Sequence, residues 1–405
     1  MLVKNAKIIM GTEEIIVDIL IQDGKFAKVG RNLSEHSEEE ILDAKGHYVL
    51  PGIIDVHTHM RTPGFTQKED VSSGSKAAIR GGVTSFFDMP NTNPATVTKE
   101  ALEEKRKIYE GNSYADYAFY FGGTCFDNHV EVQKTVEETV ATKIFLNVST
   151  GDMLIEDDRI LENIFRASNR VAVHAEEDMV AKAIQLARKT KKPLYLCHIS
   201  LEKELEYIRE AKEMGVEVYG EVTPHHLFLN EEDREQTEET KLFLRTKPEL
   251  KTRKDNEALW KALQYGILDT IGTDHAPHLL EEKKAKLTFG MPSVEHSLEM
   301  MWKGVQEGKI TVSRLQEVMC ENPAKIFGLK KKGKIAVGYD ADFVIVDETD
   351  HSEIQQEEII SKAAWSPYIK QKRGCKVLTT VLRGEIIYQE GKFGEKRGRE
   401  ILKYD

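Results

Sequence analysis

Ile53-Ile54-Asp55-Val56-His57-Thr58-His59 is the stretch that decides the fold. It starts as an apolar, β-branched run and ends in two imidazoles one residue apart. Along a strand, residues i and i+2 share a face, so His57 and His59 project together. Two imidazoles on one side of a strand end can clamp a metal ion; a polar loop with two histidines is the competing reading. The same pattern of an apolar run followed by polar residues recurs along the chain. Strand-like runs lie at 53–56, 84–89, 117–122, 143–146, 171–174, 194–198, 216–222 and 270–272. Helical stretches separate most of them. Thr98 can cap a helix running to Tyr109. The segment 202–214 is amphipathic and stops at Gly215, a C′ glycine. Eight β/α units in about 280 residues predict an α/β fold, a (β/α)8 TIM barrel over 52–332. A doubly wound open sheet is the competitor, but no G-x-G-x-x-G follows the first strand.

The ends of the chain read differently. Residues 2–9, 15–21 and 48–50 are strand-like, with Asp23-Gly24 as a hairpin turn. Residues 342–347, 377–383 and 386–388 are strand-like too, with a turn at Gly384-Glu385. Together, 1–51 and 333–405 predict one small β-sandwich built from both termini. Two separate flaps would bury little apolar surface.

With 57 Lys plus Arg against 68 Asp plus Glu, the 405-residue chain carries a formal charge of −11. That balance repels phosphates and argues against a nucleic-acid partner. Lys330-Lys331-Lys332 is short, sits before a glycine and reads as a solvated turn. No run of about 18 apolar residues marks a transmembrane helix, so no membrane partner is expected. The opening MLVKNAKIIMGTEE has charges within its apolar stretch, unlike a signal peptide. Cys125, Cys197, Cys320 and Cys375 are scattered and form no C-x-x-C pair. That speaks against a disulfide framework and a cysteine zinc site, and for a reducing, cytoplasmic compartment.

Barrel active sites gather at the C-terminal ends of the strands. There the chain places Asp55, His57 and His59, then His174, His198 and Asp274. Each single histidine is more often structural; four separate strand ends delivering His or Asp point to a shared site. Lys143 opens the fourth strand. A lysine at a barrel mouth is usually a solvated charge. Carboxylated by CO2, it becomes an anionic carbamate whose two oxygens can span two metal ions. The residues alone leave both readings open.

The set Asp55/His57/His59, Lys143, His174, His198 and Asp274 resembles the amidohydrolase superfamily. It is closer to the cyclic amidohydrolases, and within them to the dihydroorotase family. The strings that carry the resemblance are DVHTHMRTPG at 55–64, GGVTSFFDMPNTNP at 81–94, KIFLNVSTG at 143–151, VHAEE at 173–177, CHIS at 197–200, EVTPHHLFL at 221–229 and GTDHAPH at 272–278. The resemblance implies two zinc ions, one held by His57, His59 and Asp274 and the other by His174 and His198, bridged by N6-carboxylated Lys143. It implies a hydroxide between the metals that attacks the ring carbonyl of (S)-dihydroorotate. Asp274 would act as base and then acid, giving N-carbamoyl-L-aspartate reversibly, in de novo pyrimidine (UMP) synthesis. Arg61, Asn91 and His278 would bind the substrate carboxylate, Arg61 through its guanidinium fork. The family keeps His225-His226 without using it as a ligand, and Glu176 resembles a carboxylate that orients a metal histidine. A homo-oligomer, or association with aspartate transcarbamoylase, is a further expectation.

Two departures stand out. Where many dihydroorotases carry N-P-P-L-R, this chain has Lys247-Pro248-Glu249-Leu250-Lys251. Some relatives have Asp where this chain has Lys143. The alternative reading is a hydantoinase, dihydropyrimidinase or allantoinase. Their neutral rings need no carboxylate clamp, so Arg61 with Asn91 discriminates against them.

Overall fold

The computed structural model describes residues 1–33, 40–148 and 153–401. The last three residues of the 143–151 string therefore lie outside the described residues. Every predicted barrel strand is present: Ile53–Thr58, Val83–Asp88, Asp116–Phe119 continued by Phe121–Gly122, Thr142–Phe145, Val171–His174, Leu194–Leu196, Val218–Val222 and Thr270–Ile271. Each pairs in parallel with the next. The circle closes between the eighth strand and the first, through a parallel bridge of Thr58 with His275. Two hydrogen bonds onto Asp55 reinforce that closure, from Thr273 N at 3.0 Å and Thr273 Oγ1 at 2.5 Å.

Alternation along the strands sorts the core into two layers. Ile53, Phe86, Tyr117, Val171 and Leu194 face the surrounding helices. Ile54, Phe87, Ala118, Ala172 and Tyr195 fill the barrel interior. The interior is plugged from below by Phe327, whose ring lies 5.0 Å from both Phe87 and Tyr195. The helices obey the local rules that predicted them. Lys99–Tyr109 starts at Thr98, whose side chain accepts from Ala101 N. Glu202–Glu213 buries Leu205, Ile208 and Ala211, one residue per turn, and is followed by Gly215 at φ 73°.

The two ends of the chain share one nine-stranded sheet. Tyr48–Pro51 from the N-terminal part pairs antiparallel with Phe343–Asp347 from the C-terminal part. Leu2–Met10 pairs with three neighbours, so the sheet branches there and encloses Val3, Ile8, Ile19, Phe26, Val49, Phe343 and Val381 as its own core. The Asp23-Gly24 hairpin is as expected. The second turn sits one residue earlier than predicted, at Arg383-Gly384, both with positive φ, so that Glu385 already pairs in its strand.

One expectation is corrected. Lys332 is not solvated: it is buried, with its ammonium 2.8 Å from Asp116 and 2.5 Å from Asp342. Two buried carboxylates recruit it, which no count of charges along the sequence reveals. Between Phe343–Asp347 and Lys376–Leu382 the chain leaves the sheet and returns to the barrel mouth. Ser361 Oγ donates to Glu69 at 2.5 Å, and Trp365 Nε1 donates to the His278 carbonyl at 2.8 Å. Among the described residues no helix is long and apolar enough to cross a membrane.

Candidate active site

The C-terminal strand ends converge on one cavity. Its walls include His57, His59, Lys143, His174, His198 and Asp274, together with Arg61 and Asn91. Eight of the nine residues to which the resemblance gives a metal or substrate role therefore meet in one space. The ninth, His278, stands behind Arg61: its Nε2 lies 3.1 Å from Arg61 Nη2. Arg61 Nε also donates to the Pro277 carbonyl at 3.1 Å. The guanidinium is thus fixed from behind while it faces the cavity.

His57, His59 and Asp274 form the tightest group. Asp274 Oδ1 lies 3.2 Å from His57 Nε2 and 2.9 Å from His59 Nε2, and the three ligand atoms fall within 4.8 Å of one another. The opposite ring nitrogens are both held: His57 Nδ1 by Glu221 at 2.8 Å and His59 Nδ1 by Asn91 Oδ1 at 2.8 Å. Burial works against charge on His57, but the Glu221 and Asp274 carboxylates outweigh it and hold the imidazole up at about 10. Burial keeps His59 down at about 4 despite Asp274 beside it. Burial also acts to raise Asp274, yet the neighbouring imidazoles keep it well below the usual carboxylate range. Two carboxylates that favour a proton at this point favour a dication there equally.

The second group is His174 and His198, whose Nδ1 and Nε2 approach to 3.0 Å. Glu176 lies 3.4 Å from His174 Nε2, beside the ring as its resemblance implied. His198 Nδ1 is buried with no hydrogen-bond partner among the described residues. Burial, then the cations of His174 and Lys143, press His198 well below the ordinary histidine range. A neutral imidazole with an unused lone pair is what a metal ligand requires. Lys143 sits between the two groups. It is almost fully buried, with its ammonium 3.0 Å from Cys197 Sγ and 5.1 Å from the Phe145 ring centre. Imidazoles and a thiol are poor company for a buried cation, and the Phe145 ring offsets this only in part. Lysine carboxylated at this position would reverse the sign and face the same imidazoles as an anion. The donor set therefore fits divalent metal, with His57, His59 and Asp274 as its most compact group.

Backbone strain marks the same place. Arg61, His198 and Asp274 hold φ of 57°, 36° and 46°. Non-glycine residues seldom adopt such values, and the surrounding structure must enforce them.

Sequence reasoning overlooked Glu221. Besides His57, it accepts from His198 N at 2.9 Å and from the Tyr195 hydroxyl at 3.0 Å, so one buried carboxylate aligns both histidine groups. A glutamate inside an otherwise apolar barrel strand is the signal that could have found it. Its place depends on Gly272, where a Cβ would fall 2.5 Å from the Glu221 carboxylate. Lys247, Phe289 and Gly290 also line the cavity. His225 and His226 do not: His226 bonds to Thr223 and to the Pro248 carbonyl, in keeping with a structural role. His275 likewise accepts from Ser293 N at 3.1 Å and turns away from the cavity.

A closed parallel barrel that gathers imidazoles, an aspartate and a lysine at its C-terminal mouth defines a hydrolase scaffold prepared for divalent metal. Residues 48–387 match the Amidohydrolase family, and the chain belongs to that family. It is 36% identical to a dihydroorotase of Pyrococcus abyssi, over 98% of this chain and 96% of that protein. It is 35% identical to part of the multifunctional protein CAD of Squalus acanthias, over 84% of this chain and 15% of that one. Among solved structures, an L-hydantoinase (dihydropyrimidinase) from Arthrobacter aurescens superposes with a TM-score of 0.92 at 28% identity, covering 99% of both chains.

Proposed function

We propose that the protein is a dihydroorotase, hydrolysing the cyclic amide of (S)-dihydroorotate to N-carbamoyl-L-aspartate and closing it in reverse. The observation that carries this reading is Arg61, a buried guanidinium 3.1 Å from His278 that faces the same cavity as the metal-ligand set. A neutral ring offers such a group only single uncharged carbonyl acceptors, whereas a planar carboxylate matches its fork with two charged oxygens. The near-full-length likeness to a dihydroorotase agrees.

His57, His59 and Asp274 would hold one zinc ion, His174 and His198 the other, and carboxylated Lys143 would bridge them. Such ions supply Lewis acidity and make a water acidic enough to ionise near neutral pH. Asp274 takes the proton of the attacking water and hands it to the leaving ring nitrogen, one carboxylate acting as base and then acid. Asn91 aligns His59 and shares the substrate carboxylate with Arg61, while His278 braces the guanidinium. The barrel, 52–332, carries the chemistry, and 1–51 with 333–405 forms the second lobe. The reading brings a cytoplasmic role in de novo pyrimidine synthesis, as a homo-oligomer or beside aspartate transcarbamoylase.

A hydantoinase-type activity is the second reading, favoured by the structural likeness to the Arthrobacter aurescens enzyme. Assays on dihydroorotate, hydantoin and dihydrouracil, with zinc and bicarbonate supplied, separate the two. Turnover of dihydroorotate is expected. Turnover of a neutral ring with none of dihydroorotate would overturn the first reading.

A further inference from the structure

We infer that the buried ion pair of Asp88 and Lys105 is a positioning device: it aligns Arg61 and Asn91, and so sets the cavity's preference for anionic ligands without touching the ligand. This inference rests on the dihydroorotase reading and names two residues that reading does not use.

The first two barrel strands part where the site begins. Their last register pair is Thr58 with Asp88. Met60 lies beyond it, between His59 and Arg61, so its backbone N–H needs another acceptor. It finds one in a side chain, donating to Asp88 Oδ1 at 2.7 Å. The next residue, Arg61, turns at φ 57°. Such a backbone persists only where its surroundings hold it, and Asp88 holds it from one residue away.

The counter-ion serves the second strand end. Helix Lys99–Tyr109 buries Leu102, Lys105 and Tyr109, so a lysine stands on what should be its apolar face. Lys105 Nζ lies 2.5 Å from Asp88 Oδ2 and donates to the Met89 carbonyl at 3.0 Å. Tyr109, one turn on, donates its hydroxyl to the same Oδ2 at 2.8 Å. Neither side chain of the pair is exposed. After Met89 come Pro90, whose ring fixes φ, and Asn91, which holds His59 Nδ1 at 2.8 Å. The carboxylate therefore fixes the backbone before Arg61, and the ammonium fixes the backbone before Asn91. Two apolar residues would fill the same space with less desolvation. They would not hold Met60 N or the Met89 carbonyl.

The test uses orotate and uracil, one planar ring with and without a carboxylate, as competitive ligands of the zinc-loaded enzyme, with dihydroorotate kinetics and urea melts alongside. The unaltered enzyme should prefer orotate. Lys105→Met releases the Met89 carbonyl. It should weaken orotate roughly 10-fold, because the donors remain but lose alignment, and leave uracil within about twofold. KM for dihydroorotate should rise more than kcat falls. This variant also strands the Asp88 charge, so Asp88→Asn/Lys105→Met removes both charges together. The double variant should melt closer to the parent than Lys105→Met does, yet keep the weakened orotate binding. An unaltered enzyme with no preference for orotate would refute the dihydroorotase reading itself. With that preference present, a double variant that binds orotate as the parent does would overturn the positioning role. Equal losses for orotate and uracil, or failure of both variants to fold, would overturn it too.

Discussion

Replacing Glu221 by glutamine keeps the side chain's shape and removes its charge. In the native site one carboxylate oxygen receives His57 Nδ1 at 2.8 Å and His198 N at 2.9 Å, and the other receives the Tyr195 hydroxyl at 3.0 Å. The glutamine oxygen can still accept the first two. Its NH2 meets Tyr195, whose hydroxyl can accept instead and donate to Thr270 Oγ1 at 2.6 Å. Few hydrogen bonds are lost, but the bond to His57 changes from charge-assisted to neutral, a loss of about 1–1.5 kcal/mol. Losing an outer partner of a metal histidine costs about 10- to 100-fold in affinity, or ~1.4–2.7 kcal/mol, so the two figures agree. The assay is zinc affinity by competition with a chromophoric chelator across a pH series. Glu221 also favours a proton on His57, which competes with metal. The deficit of Glu221→Gln should therefore widen as pH rises and proton competition fades. A variant that binds zinc within twofold of the parent at every pH would refute the alignment role and the assignment of His57 as a ligand.

Arg61→Ala should raise KM for dihydroorotate by about 100-fold with zinc content unchanged; loss of zinc, measured by elemental analysis, would place Arg61 in a structural role instead. Lys143→Ala should lose most bound metal, and short-chain carboxylic acids should restore part of the activity; unchanged metal content and rate would rule out a bridge at Lys143. Lys283 supplies the pH test. Burial, with Arg245 and Arg61 nearby, brings its ammonium down to about 7 from an ordinary 10.5. Between those values the unfolded chain binds the proton that the folded chain has lost, so this group makes stability rise with pH by up to ~1.4 kcal/mol per unit. Below pH 7 both states are protonated and the burial penalty is fully present. Denaturant melts of Lys283→Met should therefore lack that rise relative to the parent between pH 7 and 10; parallel curves would contradict it.

The barrel was legible because its signals are local and repeated. Apolar runs such as 53–56 and 171–174 alternate with helices that carry their own start and stop residues, Thr98 and Gly215 among them. Turn placement was off by one residue at Arg383-Gly384, since two neighbouring residues there adopt positive φ and only one is a glycine. Lys332 was misread for a different reason. Asp116 lies 216 residues away and joins Asp342 and Lys332 only when the terminal sheet docks on the barrel.

The same division runs through the site. Sequence alone determined which residue types meet in the cavity: His57, His59, His174, His198 and Asp274 follow the strands to their C-terminal ends, and Lys143 joins them from within the fourth strand. Tertiary structure decided how they are held. Glu221 reaches His57 across 164 residues, and Arg61 reaches His278 across 217. Trp365, from the C-terminal segment, secures the His278 carbonyl. Strand periodicity specifies the face a residue occupies but carries no information about which distant side chain will arrive opposite it. Closing the barrel and folding the chain end back over its mouth supply that choice, and with it the orientation of the imidazoles.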